Sequence, residues 1–296
     1  MKYLILIFAL IAILSGYAAG TTDTVSITPT PRQISILTYN IKMLPRAAIS
    51  IGHHPVKRAK LIPAKMIEEN PDVIVFQEGF DGLAIRILRR KLKEKYPYTA
   101  GFKNHIVFTF KKAGGVLMFS KYPIRELESI KYTQCKGIDC AARKGCLLAE
   151  VQHPIQKFQI LGTHMQAGGS NELKISQYKE AGALLKKHAV AGIPQFAAGD
   201  FNTRKNSTDL YPSLVQCMEV EDGDITGELQ ATSDHLLNDM DSYRPDKRNL
   251  IDFVFYRSNG FKAGRVERCV RRFMQPWSKT HKDLSDHFAV LMKMEL

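Results

Sequence analysis

The stretch Phe196-Ala197-Ala198-Gly199-Asp200-Phe201-Asn202 is the starting point for interpreting the chain. An apolar run leads into a glycine, and two side chains that carry oxygen follow two positions apart. This pattern predicts a buried strand that delivers Asp200 and Asn202 at its end, on the same side of an extended backbone. Carboxylate and amide oxygens suit Mg²⁺ or hold a water molecule. Asp-x-Asn after glycine is also an ordinary turn, so the stretch needs support from the rest of the chain.

Other predicted strands also have acid, amide or imidazole groups at their ends. The set comprises Asn40, Glu78, His164, Asp286 and His287. Strand ends on one edge of an α/β sheet converge on a cleft, so we expect these groups to lie together. Taken singly, each one is also compatible with a turn, a cap or a structural hydrogen bond.

Asp252 stands apart because it lies inside the apolar run Leu250–Tyr256. A buried carboxylate without a partner is costly, so we expect a cationic or imidazole partner for it. Helices are predicted over Val56–Asn70, Asp81–Lys95 and Ser170–His188, and an irregular polar stretch from Asn202 to about Arg248. Some strands follow each other without a helix, which predicts one α/β domain with mixed sheets.

The chain has 296 residues and a basic balance, with 42 Lys and Arg against 29 Asp and Glu, or a formal net charge of +13. Such a charge favours an anionic partner, and nucleic acid, anionic lipid and phosphate esters fit it equally. A solvated basic surface without a partner accounts for the same number.

Residues 1–20 are predicted to be a secretory signal peptide. Lys2 is followed by the apolar run Leu4–Leu14, which is short for a membrane span, and then by mostly small residues up to Gly20. An uncleaved anchor is the alternative. Cleavage would make the protein secreted or periplasmic and change its net charge to +12, because Lys2 is the only charge removed. Residues 21–32 form a polar lead-in, and residues 33–296 a single domain.

An oxidising compartment permits disulfides among the five cysteines. Five is an odd number, so at least one cysteine stays free or pairs outside the chain. Cys135 and Cys140 are the predicted pair, because only four residues separate them. Buried free thiols are the alternative for all five, and the cluster lacks the spacing of a zinc site.

Five motifs in chain order resemble the endonuclease/exonuclease/phosphatase superfamily: Leu37-Thr38-Tyr39-Asn40, Gln77-Glu78, Gly199-Asp200-Phe201-Asn202, Ile251-Asp252 and Ser285-Asp286-His287. The resemblance runs from about residue 33 to the C terminus. It implies the deoxyribonuclease-I-like fold, a four-layer α/β/β/α sandwich of two mixed sheets flanked by helices. Residues 33–296 would then be a catalytic domain. Gly162-Thr163-His164-Met165-Gln166-Ala167 further resembles the Gly-Thr-His-x-Gln-Ala signature of neutral sphingomyelinases, including secreted bacterial members.

The resemblance implies a Mg²⁺-dependent hydrolysis of sphingomyelin to ceramide and phosphocholine. His287 would take a proton from the attacking water, and Asp252 would fix the imidazole tautomer. Asp200 and Asn202 would orient the water and the phosphate, and His164 would donate a hydrogen bond or proton on the phosphate side.

Glu78, with Asn40, is the expected ligand pair for Mg²⁺, with Mn²⁺ or Co²⁺ as substitutes. Asp286 resembles a family residue near the metal, and it is expected either to support the ligands of the first ion or to be a ligand of a second ion. Lys144 either contacts the phosphate or is a surface lysine.

A phospholipid or sphingolipid at a membrane surface is the expected partner, and a monomer is the default assembly. The segment Arg271–Lys279, with Phe273 and Trp277, is the candidate membrane contact, and a loop with both aromatic rings in the core is its alternative. A secreted metal-dependent nuclease, supported by the net charge, is the alternative function. A non-catalytic binding protein is disfavoured, because it has no use for an assembled base and metal site.

Overall fold

Two mostly buried apolar runs, Gln33–Met43 and Val73–Gly79, pair as parallel strands at the centre of the larger sheet. The computed structural model describes residues 32–45, 52–101 and 115–296. The elements in chain order are β1 (Gln33–Met43), α1 (Pro55–Glu69), β2 (Val73–Gly79), α2 (Gly82–Leu92), β3 (Tyr98–Ala100), β4 (Leu117–Ser120), β5 (Ile124–Lys131), α3 (Asp139–Ala142), β6 (Gly145–Val151), β7 (Phe158–His164), α4 (Asn171–Lys187), β8 (Gln195–Asp200), α5 (Leu210–Met218), β9 (Ile225–Thr226), β10 (Ser233–Asp234), β11 (Arg248–Asn249), β12 (Asp252–Arg257), β13 (Val266–Arg271) and β14 (Ala289–Glu295).

The strands form two mixed sheets and a short ribbon. The larger sheet has the order β3-β4-β2-β1-β14-β13-β9, and the smaller sheet has the order β12-β8-β7-β6-β5. β10 and β11 pair separately. Neighbours are parallel in β1–β2, β9–β13 and β7–β8 and antiparallel elsewhere. Both sheets are therefore mixed, as predicted.

Three apolar clusters define four layers. The inner faces of the two sheets meet in one cluster, which includes Val75, Met118, Ile160, Val254 and Met292. A second cluster packs α1 and α2 against the outer face of the larger sheet. A third packs α4 and α5 against the outer face of the smaller sheet. Burial of apolar side chains in all three layers stabilises the sandwich. The four-layer α/β/β/α prediction is confirmed.

The stretch predicted to be irregular, from Asn202 to about Arg248, is only partly so. It contains helix α5, where Leu214 and Met218 lie four positions apart and face the smaller sheet. The short strands β9 and β10 also lie in it. No helix in the described ranges is long and apolar enough to cross a membrane.

Two predicted boundaries need correction. β1 continues past Asn40 to Met43, with a register shift between these residues, so Asn40 lies within the strand. Asp252 is the first residue of β12, and therefore lies at the sheet edge and not in the strand interior.

The predicted disulfide between Cys135 and Cys140 is confirmed, with Cα atoms 5.2 Å apart. It closes a small loop that includes α3. Cys146 is a buried free thiol, and Cys217 and Cys269 are half-buried free thiols.

Candidate active site

The centre of the site is the pair of parallel strands β7 and β8. Their register places His164 directly opposite Asp200, at the ends of both strands. Gly199 permits this approach, because a Cβ at that position would lie 2.1 Å from the Thr163 carbonyl oxygen. On the other side of β8, the antiparallel register places Asp252 opposite Asp200. Three predicted site residues thus lie side by side on one sheet edge.

Asn40 joins the two sheets at the edge of the sandwich where the site residues lie. This edge is called the mouth, and it carries Asn40, Glu78, His164, Asp200, Asp252 and His287. Its amide Nδ2 donates to Glu78 Oε1 and to Asp200 Oδ2, both at 3.0 Å. Glu78 belongs to the larger sheet and Asp200 to the smaller one. A single buried amide therefore fixes the distance between two carboxylates from different layers.

His287 and Asp252 form a close pair. His287 Nδ1 lies 2.8 Å from Asp252 Oδ2, and Asp252 is completely buried. The backbone N–H of Asp252 donates to the Thr232 hydroxyl. Burial lowers the pKa of His287, but the charges of Asp252 and Asp200 outweigh burial and raise that pKa well above its ordinary value. The pair leaves Nε2 of His287 facing the mouth, 4.0 Å from Asp200 Oδ2.

The carboxylates of the mouth lack sufficient positive charge. Burial and the neighbouring Asp252 raise the pKa of Asp200 to about 7. Burial and Asp286 raise the pKa of Glu78 in the same direction. His164 Nε2 lies 3.4 Å from Asp200 Oδ2 and 3.9 Å from Glu78 Oε1. Burial and neighbouring negative charge both disfavour the ionised form of these acids. A cation between the two carboxylates would lower their pKa values again.

Asn202 and Lys144 both contact the Met165 carbonyl oxygen, next to His164. Asn202 Nδ2 donates to it at 3.0 Å and Lys144 Nζ at 2.8 Å. Lys144 also lies 3.1 Å from Asp139 and is buried, so it is not the surface lysine of the alternative reading. Its charge acts on both Glu78 and Asp200 and offsets part of the rise in the pKa of each.

The disulfide loop supports this side of the mouth. Gln166 exchanges two hydrogen bonds with the backbone of Lys136, and Asp139 accepts from the Ala167 N–H. The loop that follows His164 is thereby held against the cross-linked segment 135–140. Gln166 and Ala167 of the sequence signature thus hold the loop after His164 in place through their hydrogen bonds.

Asp286 is engaged by a residue that the sequence analysis did not single out. Lys42 Nζ lies 2.6 Å from Asp286 Oδ2. The Ser285 hydroxyl lies 3.2 Å from Asp286 Oδ1 and donates to the Asn40 carbonyl oxygen at 2.6 Å. Burial acts to raise the pKa of Asp286, but the charges of His287 and Lys42 prevail and lower it. The expected metal ligand is therefore part of an ion pair. The one sequence feature that connects Lys42 with the site is its position two residues after Asn40.

A family model described as "Endonuclease/Exonuclease/phosphatase family" matches residues 37–287, from the strand that carries Asn40 to the histidine of the Asp252 pair. The chain belongs to this endonuclease/exonuclease/phosphatase family. The match includes every predicted site residue.

Several curated members of the family are similar to this chain. Sphingomyelinase C from Bacillus cereus is 26% identical over 93% of this chain and 92% of its own length. Phospholipase C from Staphylococcus aureus is 25% identical over 87% of this chain and 86% of its own length. Sphingomyelinase C 2 from Leptospira interrogans is 27% identical over 75% of this chain, which spans only 39% of that longer protein.

Solved structures of the family have the same fold. Sphingomyelinase C from Streptomyces griseocarneus is 25% identical with a TM-score of 0.77, and the match covers 89% of this chain and 99% of that one. A Staphylococcus aureus beta toxin variant with bound magnesium ions has a TM-score of 0.78 at 22% identity, over 89% of this chain and 99% of its own. TDP2 from Caenorhabditis elegans, in truncated form, reaches 0.68 at 17% identity, over 89% and 98%.

Three residues at the site of this family member have left-handed backbone. Lys42, Glu78 and Asn202 all have positive φ angles, of 44°, 58° and 49°. Left-handed backbone is unfavourable for residues with a Cβ, and such residues persist only where the surroundings fix them. The strain aims three polar side chains into the mouth.

Arg58 is a further residue whose importance was not recognised from sequence. It is fully buried in α1, and its guanidinium donates to four backbone carbonyls, those of Ile41, Lys42, His53 and Leu284. It therefore ties the end of β1 to the segment that carries Asp286 and His287. A buried guanidinium without these acceptors would be strongly unfavourable.

The candidate membrane segment Arg271–Lys279 does not present its aromatic rings to solvent. Phe273 and Trp277 are each only 8% exposed and belong to the core beneath α1 and α2. The Trp277 indole N–H donates to the Asp283 carbonyl at 2.7 Å. The interior alternative is therefore confirmed for this segment, because two large rings are more stable in the core than in water.

Proposed function

We propose that this family member is a secreted, Mg²⁺-dependent phosphodiesterase of the sphingomyelinase or phospholipase C type, which hydrolyses sphingomyelin to ceramide and phosphocholine. The observation that carries the proposal is the His287–Asp252 pair beside the joined carboxylates Glu78 and Asp200. The similarity to bacterial proteins named sphingomyelinase C and phospholipase C supports the choice of substrate.

Proton transfer is assigned to His287. Its Nδ1 is held by Asp252, so Nε2 is the nitrogen that takes a proton from the attacking water. The water oxygen forms a bond to phosphorus while the bond from phosphorus to the ceramide oxygen breaks. Asp252 stabilises the imidazolium that results, as a buried carboxylate does for a histidine base.

The phosphate side of the reaction is assigned to His164, Asn202 and Lys144. His164 donates a hydrogen bond or proton to the phosphate or to the departing ceramide oxygen. Asn202 and Asp200 orient the phosphate and the water. Lys144 is buried beside them and offsets part of the negative charge of the diester.

Asn40 and Glu78 are the proposed ligands for a divalent cation. The donor set consists of hard oxygens, and within the described residues the second oxygen of Glu78 accepts no hydrogen bond. The raised pKa of Glu78 fits a carboxylate that lacks a positive neighbour of its own. When bound, Mg²⁺ would neutralise charge on the phosphate, and Mn²⁺ or Co²⁺ would substitute.

Export and the site of action complete the proposal. Residues 1–20 act as the signal peptide, and the mature monomer works outside the cell or in the periplasm on phospholipid or sphingolipid at a membrane surface. The names of the relatives, sphingomyelinase C and phospholipase C, support the lipid substrate. The disulfide between Cys135 and Cys140 is in accord with an oxidising compartment.

A secreted nuclease is the second candidate. The net charge of +13 and the exposed arginines of α2 favour a polyanionic substrate. The same base, phosphate contacts and cation ligands would serve a nucleic-acid phosphodiester, so the site alone does not separate the two substrates.

The test compares sphingomyelin liposomes and plasmid DNA side by side, each with Mg²⁺ and with EDTA. We expect Mg²⁺-dependent release of phosphocholine and intact DNA. His287→Ala should reduce release about 10³- to 10⁴-fold. His188→Ala is the matched control, because His188 is partly exposed at the C-terminal end of α4 and pairs with Glu128 at 2.8 Å, a residue outside the site. Nicked DNA with untouched sphingomyelin would replace the first candidate with the second.

A further inference from the structure

Lys42 occupies an unusual place, because it is a lysine among carboxylates at the mouth of the site. Its Nζ lies 2.6 Å from Asp286 Oδ2, and both side chains are less than one-fifth exposed. The carboxylates whose charges act on it are, in decreasing order, Asp286, Asp241 and Glu78. The ammonium thus contacts Asp286, and Asp241 and Glu78 act on it only through their charges.

The backbone holds Lys42 in this orientation. Its φ of 44° is left-handed, a conformation that is unfavourable for a residue with a Cβ. Two hydrogen bonds fix it there: Arg58 donates to the Lys42 carbonyl at 2.6 Å, and the Lys42 N–H donates to Asn40 Oδ1 at 3.2 Å. The same Asn40 amide group contacts Glu78 through its nitrogen. The lysine and the proposed cation ligands are therefore parts of one rigid unit.

One oxygen of Asp286 is taken by the lysine in this arrangement: Oδ2 is paired with Lys42 at 2.6 Å. The Ser285 hydroxyl lies 3.2 Å from Oδ1, but its single proton has a shorter acceptor in the Asn40 carbonyl oxygen at 2.6 Å. Asp286 is thus arranged to hold an ammonium in preference to a metal ion.

We propose that the Lys42 ammonium is a built-in cation of this site, which removes Asp286 from the set of metal ligands, so that the chain binds a single divalent ion at Asn40 and Glu78. The inference rests on the proposed cation-dependent function and specifies its stoichiometry. Lys42 is a positioning residue, since it acts by fixing Asp286 beside His287 and by balancing its charge.

The test counts bound ions. Mn²⁺ binding to the full mature chain is measured by electron paramagnetic resonance and by calorimetry, for the wild type, Lys42→Met and Lys42→Arg. We expect one ion for the wild type and for Lys42→Arg, which retains a cation. Lys42→Met leaves Asp286, Asp241 and Glu78 without their ammonium, so it should bind a second ion. The double variant Lys42→Met/Asp286→Asn should return to one.

Lys121→Met is the matched control, because Lys121 pairs with the partly buried Asp72 at 3.3 Å, away from the mouth. It should leave the ion count at one. Two ions in the wild type, or one ion in a folded Lys42→Met chain, would overturn the inference. These outcomes are separable from the fate of the proposed function: a wild type that hydrolyses sphingomyelin yet binds two ions refutes the inference alone. A chain that binds one ion but hydrolyses no sphingomyelin refutes the sphingomyelinase assignment alone.

Discussion

The two sides of the mouth compensate their buried acids in different ways. On the proton-transfer side, Asp252 is paired directly with His287. On the cation side, Glu78 is bonded to a neutral amide, and burial next to Asp286 raises its pKa. A buried acid beside an imidazole is already compensated, whereas Glu78 still requires positive charge. The contrast supports the proposed division of roles, in which Asp252 serves proton transfer and Glu78 binds a metal ion.

The largest effect is expected on the proton-transfer side. His287→Ala removes the base, and the loss of kcat/KM should be about 10³- to 10⁴-fold. Mn²⁺ affinity should change little, because the proposed ligands are untouched. A steady-state assay of phosphocholine release together with a Mn²⁺ titration checks both statements. Loss of metal binding in this variant would break the distinction between the two sides.

Glu78→Gln tests the cation side and should show the reverse pattern. Loss of the carboxylate should weaken Mg²⁺ binding about a hundredfold and reduce activity at low Mg²⁺. High Mg²⁺ should restore part of the activity, because the base is intact. The measurement is activity across a Mg²⁺ series. Glu78→Gln activity that is low and independent of Mg²⁺ would remove Glu78 from the ligand set.

Asp252→Asn sharpens the comparison through pH. The pKa of His287 is raised by Asp252, so the variant should lower that pKa and move the acidic limb of the pH–rate profile to lower pH, with kcat reduced about a hundredfold. A limb that moves to higher pH, or does not move, contradicts the assigned pairing.

The same pair predicts a stability effect. Because the folded pKa of His287 is raised, its contribution is fully present below the unfolded value of about 6.5 and is lost as pH rises through the folded pKa. The Tm difference between wild type and Asp252→Asn should therefore be larger at pH 5 than above that folded pKa.

Arg58→Met should affect both sides modestly. Four carbonyls lose a charged donor, which should lower the free energy of unfolding by about 2 kcal/mol and activity by about tenfold. Urea unfolding and the phosphocholine assay check these values. Arg58→Lys retains the charge but loses the several N–H donors of the guanidinium. Its stability and activity should lie between those of the wild type and of Arg58→Met. A variant as stable as the wild type would show that the end of β1 needs no such tie.

The sequence reveals the residues of the mouth because each lies beside a strand that is recognisable by itself. Asp200 and His164 end apolar runs, and the order of the motifs predicts the four-layer fold. The strands β5 and β13 were harder to predict, since charged residues such as Glu126 and Glu267 interrupt their apolar pattern at the periphery of the sheets.

Arg58 and Lys42 mark the limit of such predictions. The importance of each depends on partners more than 200 positions away, Leu284 and Asp286 respectively. Local periodicity describes burial within one element and carries no information on such pairings. Asp286 was assigned from its motif alone, and only the folded chain reveals that a lysine competes for it.

The amide of Asn40 makes the site sensitive to deamidation. Its two hydrogen bonds connect a carboxylate of one sheet to a carboxylate of the other, so the spacing of the two carboxylates depends on this side chain. Deamidation to aspartate would place a third acid between Glu78 and Asp200 and push the layers' carboxylates apart. Deamidation of this one residue would therefore abolish the proposed activity, while the fold and the circular dichroism spectrum of the protein would not change.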